Sequence, residues 1–178
     1  MLRNENISLR ALEPEDLDVL YQWENDSSLW IHGNSLSPYS KLTLRQYIAD
    51  SQAQDIYQAK QLRLMIVQNE SQETVGTIDI YDFDIRNSKA GIGILIGEKW
   101  KKLGYGYESL TLIKEYAFGF LRLHQLYAYI GEKNEGSIRL FEKAGFIRSG
   151  ILKNWIFEKD ICSDVFIYQL INDTCTKK

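Results

Sequence analysis

Apolar and polar positions alternate along several short runs of this chain, and helical spacing takes over between them. ISLRAL at 7–12 alternates, which is the pattern of a half-buried strand. In 13–26, Leu17, Leu20 and Tyr21 recur at helical spacing. Pro14 suits the first helical position there, and Glu15 and Asp16 suit its first turn. A polar loop is expected at 32–40, then a second helix at 42–54 capped by Ser40 or Thr43. Two extended runs follow. Leu62, Leu64 and Ile66 share a face of 61–70, and Val75, Ile78 and Ile80 point inward from 74–83. The segment 90–98 reads as a strand despite Gly91, Gly93 and Gly97, and glycine inside a strand marks a bulge or a close backbone approach. Helix 105–121 carries Tyr107, Leu110, Ile113, Ala117 and Phe120 on one face. Strand 125–131 leads to a short helix at 135–146, with Asn134 as its cap and Gly145 at its left-handed end. Segments 146–157 and 161–171 close the chain as a hairpin.

This order predicts an α/β (α+β) single domain with a mixed sheet of about seven strands and about four helices. The turns between 61 and 98 are too short for crossovers, so those strands form an antiparallel meander. Helix 105–121 is long enough to link two parallel strands. With two prolines and no glycine-serine linker, residues 1–178 read as one unit, with its core at 7–171 and a polar tail at 172–178.

Composition narrows the function. A net charge of −3 disfavours a general nucleic-acid binder, which needs a strongly basic face. The two cysteines, Cys162 and Cys175, suggest no disulfide framework, and with His32 and His124 far apart they suggest no metal site. No signal-type apolar region opens the chain and no apolar run approaches the ~20 residues that span a bilayer. The expectation is a cytoplasmic protein that does not engage membranes.

The candidate chemistry lies at 97–112, GEKWKKLGYGYESLTL. A strand runs into a loop with Gly104 and Gly106, and the loop opens a helix. The Walker lysine-serine ending and the third glycine of the dinucleotide fingerprint are both missing. The physics of an anion site remains: open amides and a helix dipole, with Lys101 and Lys102 adding charge. Taken alone, two glycines serve a tight turn equally well.

With its flanks the loop resembles the GNAT superfamily of N-acetyltransferases, whose pyrophosphate loop reads Gln/Arg-x-x-Gly-x-Gly/Ala. Here it stands as Lys101-Lys102-Leu103-Gly104-Tyr105-Gly106. NEGSIRLFEKAGF at 134–146 is similar to the family's Asn-x-x-Ser/Ala-x-x-x-Tyr/Phe-x-x-x-Gly-Phe signature. Within the family the chain looks most like the ribosomal-protein-alanine and spermidine groups. The resemblance covers 7–171, is most specific over 90–146, and is weakest over 27–60, where an acceptor is read.

The resemblance implies acetyl-CoA as cosubstrate, bound in a cleft between splayed strands 90–98 and 125–131. The backbone of Ile94, Leu95 and Ile96 would pair with the pantetheine, and an amide near Leu95 would hold the oxyanion. Amides of Lys102, Leu103, Gly104, Tyr105, Gly106 and Tyr107 would hold the pyrophosphate. Asn134, Ser137, Phe141 and Lys143 would line the rest of the cofactor, Asn134 on its pantetheine side or through a water. Two positions depart from the pattern: Lys101 lacks the arginine fork, and Phe141 stands where many members have a proton-donating tyrosine. Water, Tyr105, Tyr129 or Tyr168 could supply that proton. Asp79 sits where spermidine-type members carry the glutamate that would accept the amine proton. Asp82, Asp84, Glu24 and Asp26 read as solvated, with Glu24 and Asp26 alternatively holding a cationic substrate. The expected reaction is direct acetyl transfer to a small amine, polyamine or protein N-terminus, by a chain that could be a homo-oligomer. The alternatives are a non-catalytic acyl-CoA binder on the same scaffold and a plain nucleotide-binding module.

Overall fold

The computed structural model describes residues 2–30, 37–158 and 160–172, so His32, Cys175 and most of the 172–178 tail lie outside the described residues. The alternating runs become β1 (Ile7–Ala11), β2 (Leu62–Gln68), β3 (Thr74–Asp84), β4 (Lys89–Ile96), β5 (Gln125–Gly131), β6 (Ile147–Glu158) and β7 (Ile161–Ile171). They form one sheet of order β1-β2-β3-β4-β5-β7-β6. β2 through β4 pair antiparallel, as their short turns require, and β1 pairs antiparallel with β2 after the helical segment between them. β4 and β5 pair parallel, joined through helix α5 (Tyr105–Glu115).

The other helices are α1 (Leu17–Glu24), α2 (Ser27–Trp30), α3 (Lys41–Ala53), α4 (Ile56–Ala59) and α6 (Glu135–Lys143). A 3-10 turn at Pro14–Asp16 leads into α1, and Ser40 caps α3 by accepting from the Thr43 amide at 3.0 Å. Helices α2 and α4 exceed the four expected. The sequence held a signal for α4: Asp55 and Gln58 form its capping box.

The apolar positions sort onto two faces. Leu64, Ile66, Ile78, Ile80 and Ile92 pack with Leu110, Ile113, Leu126, Phe141 and Tyr168 on the face covered by α5 and α6. Met65 and Val67 pack on the other face with Leu12, Leu20, Leu44 and Ile48, under α1 and α3. The predicted stripe on 105–121 holds at Leu110, Ile113 and Ala117, which are buried, and fails at both ends, where Tyr107 and Phe120 are exposed. A π-helical turn at Tyr116–Phe120 replaces the last α-turn, and its extra residue per turn rotates Phe120 to 74% exposure, stacked on Tyr116. Among the described residues no helix is long and apolar enough to cross a membrane.

Candidate cofactor cleft and acceptor face

The parallel ladder between β4 and β5 is short. It pairs Lys89 with Gln125, Ala90 with Leu126 and Gly91 with Tyr127, and then stops. Two bonds give the direction of every backbone group on β4. The Gln125 amide donates to the Ser88 carbonyl at 3.2 Å, and the Gly97 amide donates to the Val75 carbonyl at 2.9 Å. Successive residues of a strand turn their amides to opposite sides. Even-numbered residues of β4 therefore turn toward β5 and odd-numbered ones toward β3. Beyond Gly91 the β5 side has no partner strand, so the amides of Ile94 and Ile96 face an open cleft. This corrects the expectation for Leu95. Its amide turns to β3, opposite Thr77, and so does not face the cleft.

The loop at the head of this cleft has the open donors that an anion needs. Lys102 has φ 65° and Gly104 φ 96°, both left-handed, and Gly104 is the N-cap of α5. Glycine takes that conformation without the cost other residues carry. Among the described residues, the amides of Lys102, Leu103, Gly104, Tyr105 and Gly106 carry no acceptor, as first-turn amides usually do not. The Tyr107 amide is already bonded to the Gly104 carbonyl at 3.0 Å, which removes it from the predicted set. Lys101 pairs with Glu98 on the surface, and Lys102 is exposed. Behind the loop, a cavity of about 300 Å³ is lined by Glu5, Glu70 and Glu108 among others. Its acidic walls do not suit a phosphate.

Helix α6 flanks the loop. The Asn134 side chain accepts from the Ser137 amide at 3.1 Å, which is a capping contact. The Lys143 ammonium lies 4.7 Å from the centre of the Tyr107 ring and ties α6 to the start of α5. Phe141 is not a lining residue: it is 3% exposed, with its ring edge-on to Phe146 in the core. Tyr168 is buried and its hydroxyl donates to Glu142 at 2.9 Å, so it does not serve as the proton donor to a leaving thiolate. Tyr105 packs edge-on against Trp100, while Tyr129 is 51% exposed at the cleft.

On the α1–α3 face, one arginine organises the charges. Arg63 Nε donates to Asp79 Oδ1 at 2.8 Å, Nη2 donates to Oδ2 at 3.0 Å, and Nη1 donates to Glu24 Oε1 at 2.6 Å. The Tyr47 ring lies 5.4 Å from the guanidinium. Burial opposes the Arg63 charge, but Asp79 and Glu24 outweigh it and raise its pKa. Both Asp79 oxygens are thus engaged, which does not suit the free base expected there. Glu24, expected to be solvated, belongs to the same cluster. Asp84 and Asp26 cap local turns through Asn87 and Ser28, and those bonds lower both pKa values. Asp82 accepts from the Tyr127 hydroxyl at 3.4 Å. Arg63 was missed in the sequence, although an arginine opposite Asp79 across a short hairpin is a legible cross-strand pair.

The site thus joins a mixed sheet, a short central parallel pair and a loop of open amides at the head of α5. The family model for the acetyltransferase (GNAT) domain matches residues 6–147, and the chain belongs to this family. It is 28% identical over 178 residues to an uncharacterized N-acetyltransferase, p20, of Bacillus licheniformis, covering 96% of this chain and 95% of that one. It is 25% identical over 155 residues to the spermidine N(1)-acetyltransferase of Escherichia coli strain K12, covering 85% of this chain and 78% of that one. The solved spermidine N-acetyltransferase of Vibrio cholerae, in complex with CoA and spermine, superposes with a TM-score of 0.83 at 21% identity, covering 96% of this chain and 98% of that one.

Proposed function

We propose that this acetyltransferase moves an acetyl group from acetyl-CoA to a primary amine by direct attack. The observation that carries the reading is the unpaired edge of β4, with the Ile94 and Ile96 amides open, leading to the open amides of 102–106. An extended pantetheine adds to such an edge as a strand would. Its pyrophosphate meets the N-terminus of α5, where amides and dipole favour an anion. When bound, the cosubstrate supplies the activated thioester. In this reading the Ile94 amide, which faces the cleft, donates to the oxygen of the tetrahedral intermediate. The thiolate then leaves; with a thiol pKa of ~8.5 it needs little help near neutral pH.

An attacking amine with a pKa of ~10.4 arrives protonated. Arg63, Asp79 and Glu24 together carry a net charge of −1 on the acceptor face, which attracts that cation. In this reading Asp79 orients and attracts, and the proton leaves through water. A small amine, a polyamine and a protein N-terminus all fit this chemistry, and the spermidine acetyltransferase relative favours the polyamine. Calorimetric titration with acetyl-CoA, followed by thiol release across a panel of amines, tests the reading. Micromolar binding with turnover on at least one amine is the expected result. No binding at millimolar acetyl-CoA would sink it.

Self-association belongs to the same proposal. The Vibrio cholerae relative has been solved as a dodecamer, and β6 exposes Trp155 and Phe157 at 66% and 71%. Sedimentation velocity should show a species larger than the 20.7 kDa chain.

A further inference from the structure

Strand β4 carries two glycines on the face that it shares with Asp79 and Arg63, and the two differ. Gly91 stands opposite Tyr81, and Gly93 stands opposite Asp79, across the β3–β4 ladder. A Cβ on Gly91 would sit 2.3 Å from Tyr81 Cε2 and 2.4 Å from its Cζ, so the Tyr81 ring already fills the place of that side chain. Packing therefore fixes glycine at 91, which is buried. Gly93 is only half-buried. A Cβ there would meet Tyr81 Cε1 at 3.8 Å, Asp79 Cβ at 3.9 Å and Tyr81 Cδ1 at 4.0 Å, all ordinary contacts. Its φ is not positive, so the backbone does not need glycine either. Glycine inside a strand weakens it relative to alanine, and neither packing nor backbone at 93 asks for that loss. The remaining reason for a glycine is close approach by something from outside the chain.

Position 93 lies where such an approach matters. The β4–β5 ladder stops at Gly91 and Tyr127, so Gly93 is the first position on its face beyond the last rung, level with Tyr129 across the open cleft. The next residue is Ile94, whose amide faces that cleft. The opposite face of β4 is closed: Ile92 is buried, and Ile94 and Ile96 pack against the core under α5 and α6. An amine therefore reaches a thioester beside Ile94 from the Gly93 side. The surroundings suit a cation. Asp79 and Glu24 set two carboxylates against the one guanidinium of Arg63. The exposed Tyr129 ring, edge-on to Tyr127 with centroids 5.5 Å apart, adds an aromatic wall that a cation favours.

We infer that Gly93 is a specificity-determining residue: its bare Cα is the floor over which an aliphatic primary amine reaches the thioester, and the room left by the missing methyl decides which acceptors fit. The inference rests on reading the β4–β5 cleft as the acetyl-CoA site.

The test compares wild type, Gly93→Ala and Gly91→Ala by thermal unfolding, by acetyl-CoA calorimetry, and by thiol release with spermidine and with a peptide bearing a free N-terminal alanine. Gly93→Ala should keep its Tm or raise it by about 2 °C. It should bind acetyl-CoA with wild-type affinity, while kcat/KM for the amine falls about tenfold or more. Gly91→Ala, whose methyl meets the Tyr81 ring, should lower Tm by about 4 °C or more. A Gly93→Ala Tm several degrees below wild type makes that glycine structural and overturns the inference without any ligand. Wild-type turnover by Gly93→Ala refutes the floor alone and leaves the cofactor reading standing. A wild type that binds no acetyl-CoA, or releases no thiol with either amine, refutes the transfer reading and the floor with it.

Discussion

Gly104 carries the sharpest consequence at the scale of a residue. Its φ of 96° and its place among the open amides mean that any side chain is strained there, and an acidic one would meet the bound phosphate. Gly104→Glu should weaken acetyl-CoA binding by at least about a hundredfold, about 2.7 kcal/mol, by calorimetry. Asp79 gives a second prediction. Asp79→Asn leaves Arg63 with Glu24 alone, so urea denaturation should show a loss of about 2–3 kcal/mol. Because both Asp79 oxygens already hold Arg63, the variant should raise KM for the amine and leave the pH profile of kcat in place. A vanished acid limb in that profile would instead restore Asp79 as the base. Tyr81 provides a pH signature. Burial, with smaller contributions from Tyr129, Asp82 and Asp79, pushes its pKa up to about 12 from an ordinary 10. The folded state thus favours the neutral phenol. That stabilisation is fully present below pH 10 and is lost as pH rises from 10 to 12. Tyrosinate absorbance together with chemical denaturation across that window should show late ionisation and falling stability.

Local chemistry decides how individual elements begin and end. Asn134 was legible as a cap, and the structure gives its side-chain oxygen to the Ser137 amide. Asn134→Ala should cost about 1 kcal/mol, and Asn134→Asp should recover most of it, with acetyl-CoA affinity nearly unchanged in both. A large loss of affinity with normal stability would move Asn134 from cap to cofactor contact. Strand 125–131 and the hairpin at 161–171 were legible because their apolar positions alternate and glycine or charge bounds them. The end of helix 105–121 was not legible. Glu115 and Tyr116 show no helix-stopping residue, yet the chain turns π-helical from Tyr116.

At the scale of the molecule, the sheet separates two unequal cores. The larger joins β3, β4 and β5 to α5 and α6; the smaller holds α1 and α3 with few buried side chains. Local opening follows the density of buried contacts. Hydrogen exchange should therefore be faster in α1 and α3 than in β3 and α5. Ile48→Ala should lose about 2–4 kcal/mol by denaturation. Equal protection on both faces would show that the acceptor side is as rigid as the cofactor side.

The linear pattern determined the strands, the main helices, the antiparallel meander, the crossover and the glycine loop, because each depends on period, turn length or capping within a few residues. Tertiary structure alone decided which amides stay open. Strand parity turned Leu95 away and Ile94 outward, and the core took Phe141. A neighbouring strand locked Asp79 to Arg63, and the Tyr81 ring settled over Gly91 of β4, edge-on to Tyr127. Those outcomes depend on contacts between segments far apart in the chain, and hydrophobic period carries no information about which partner a polar group finds.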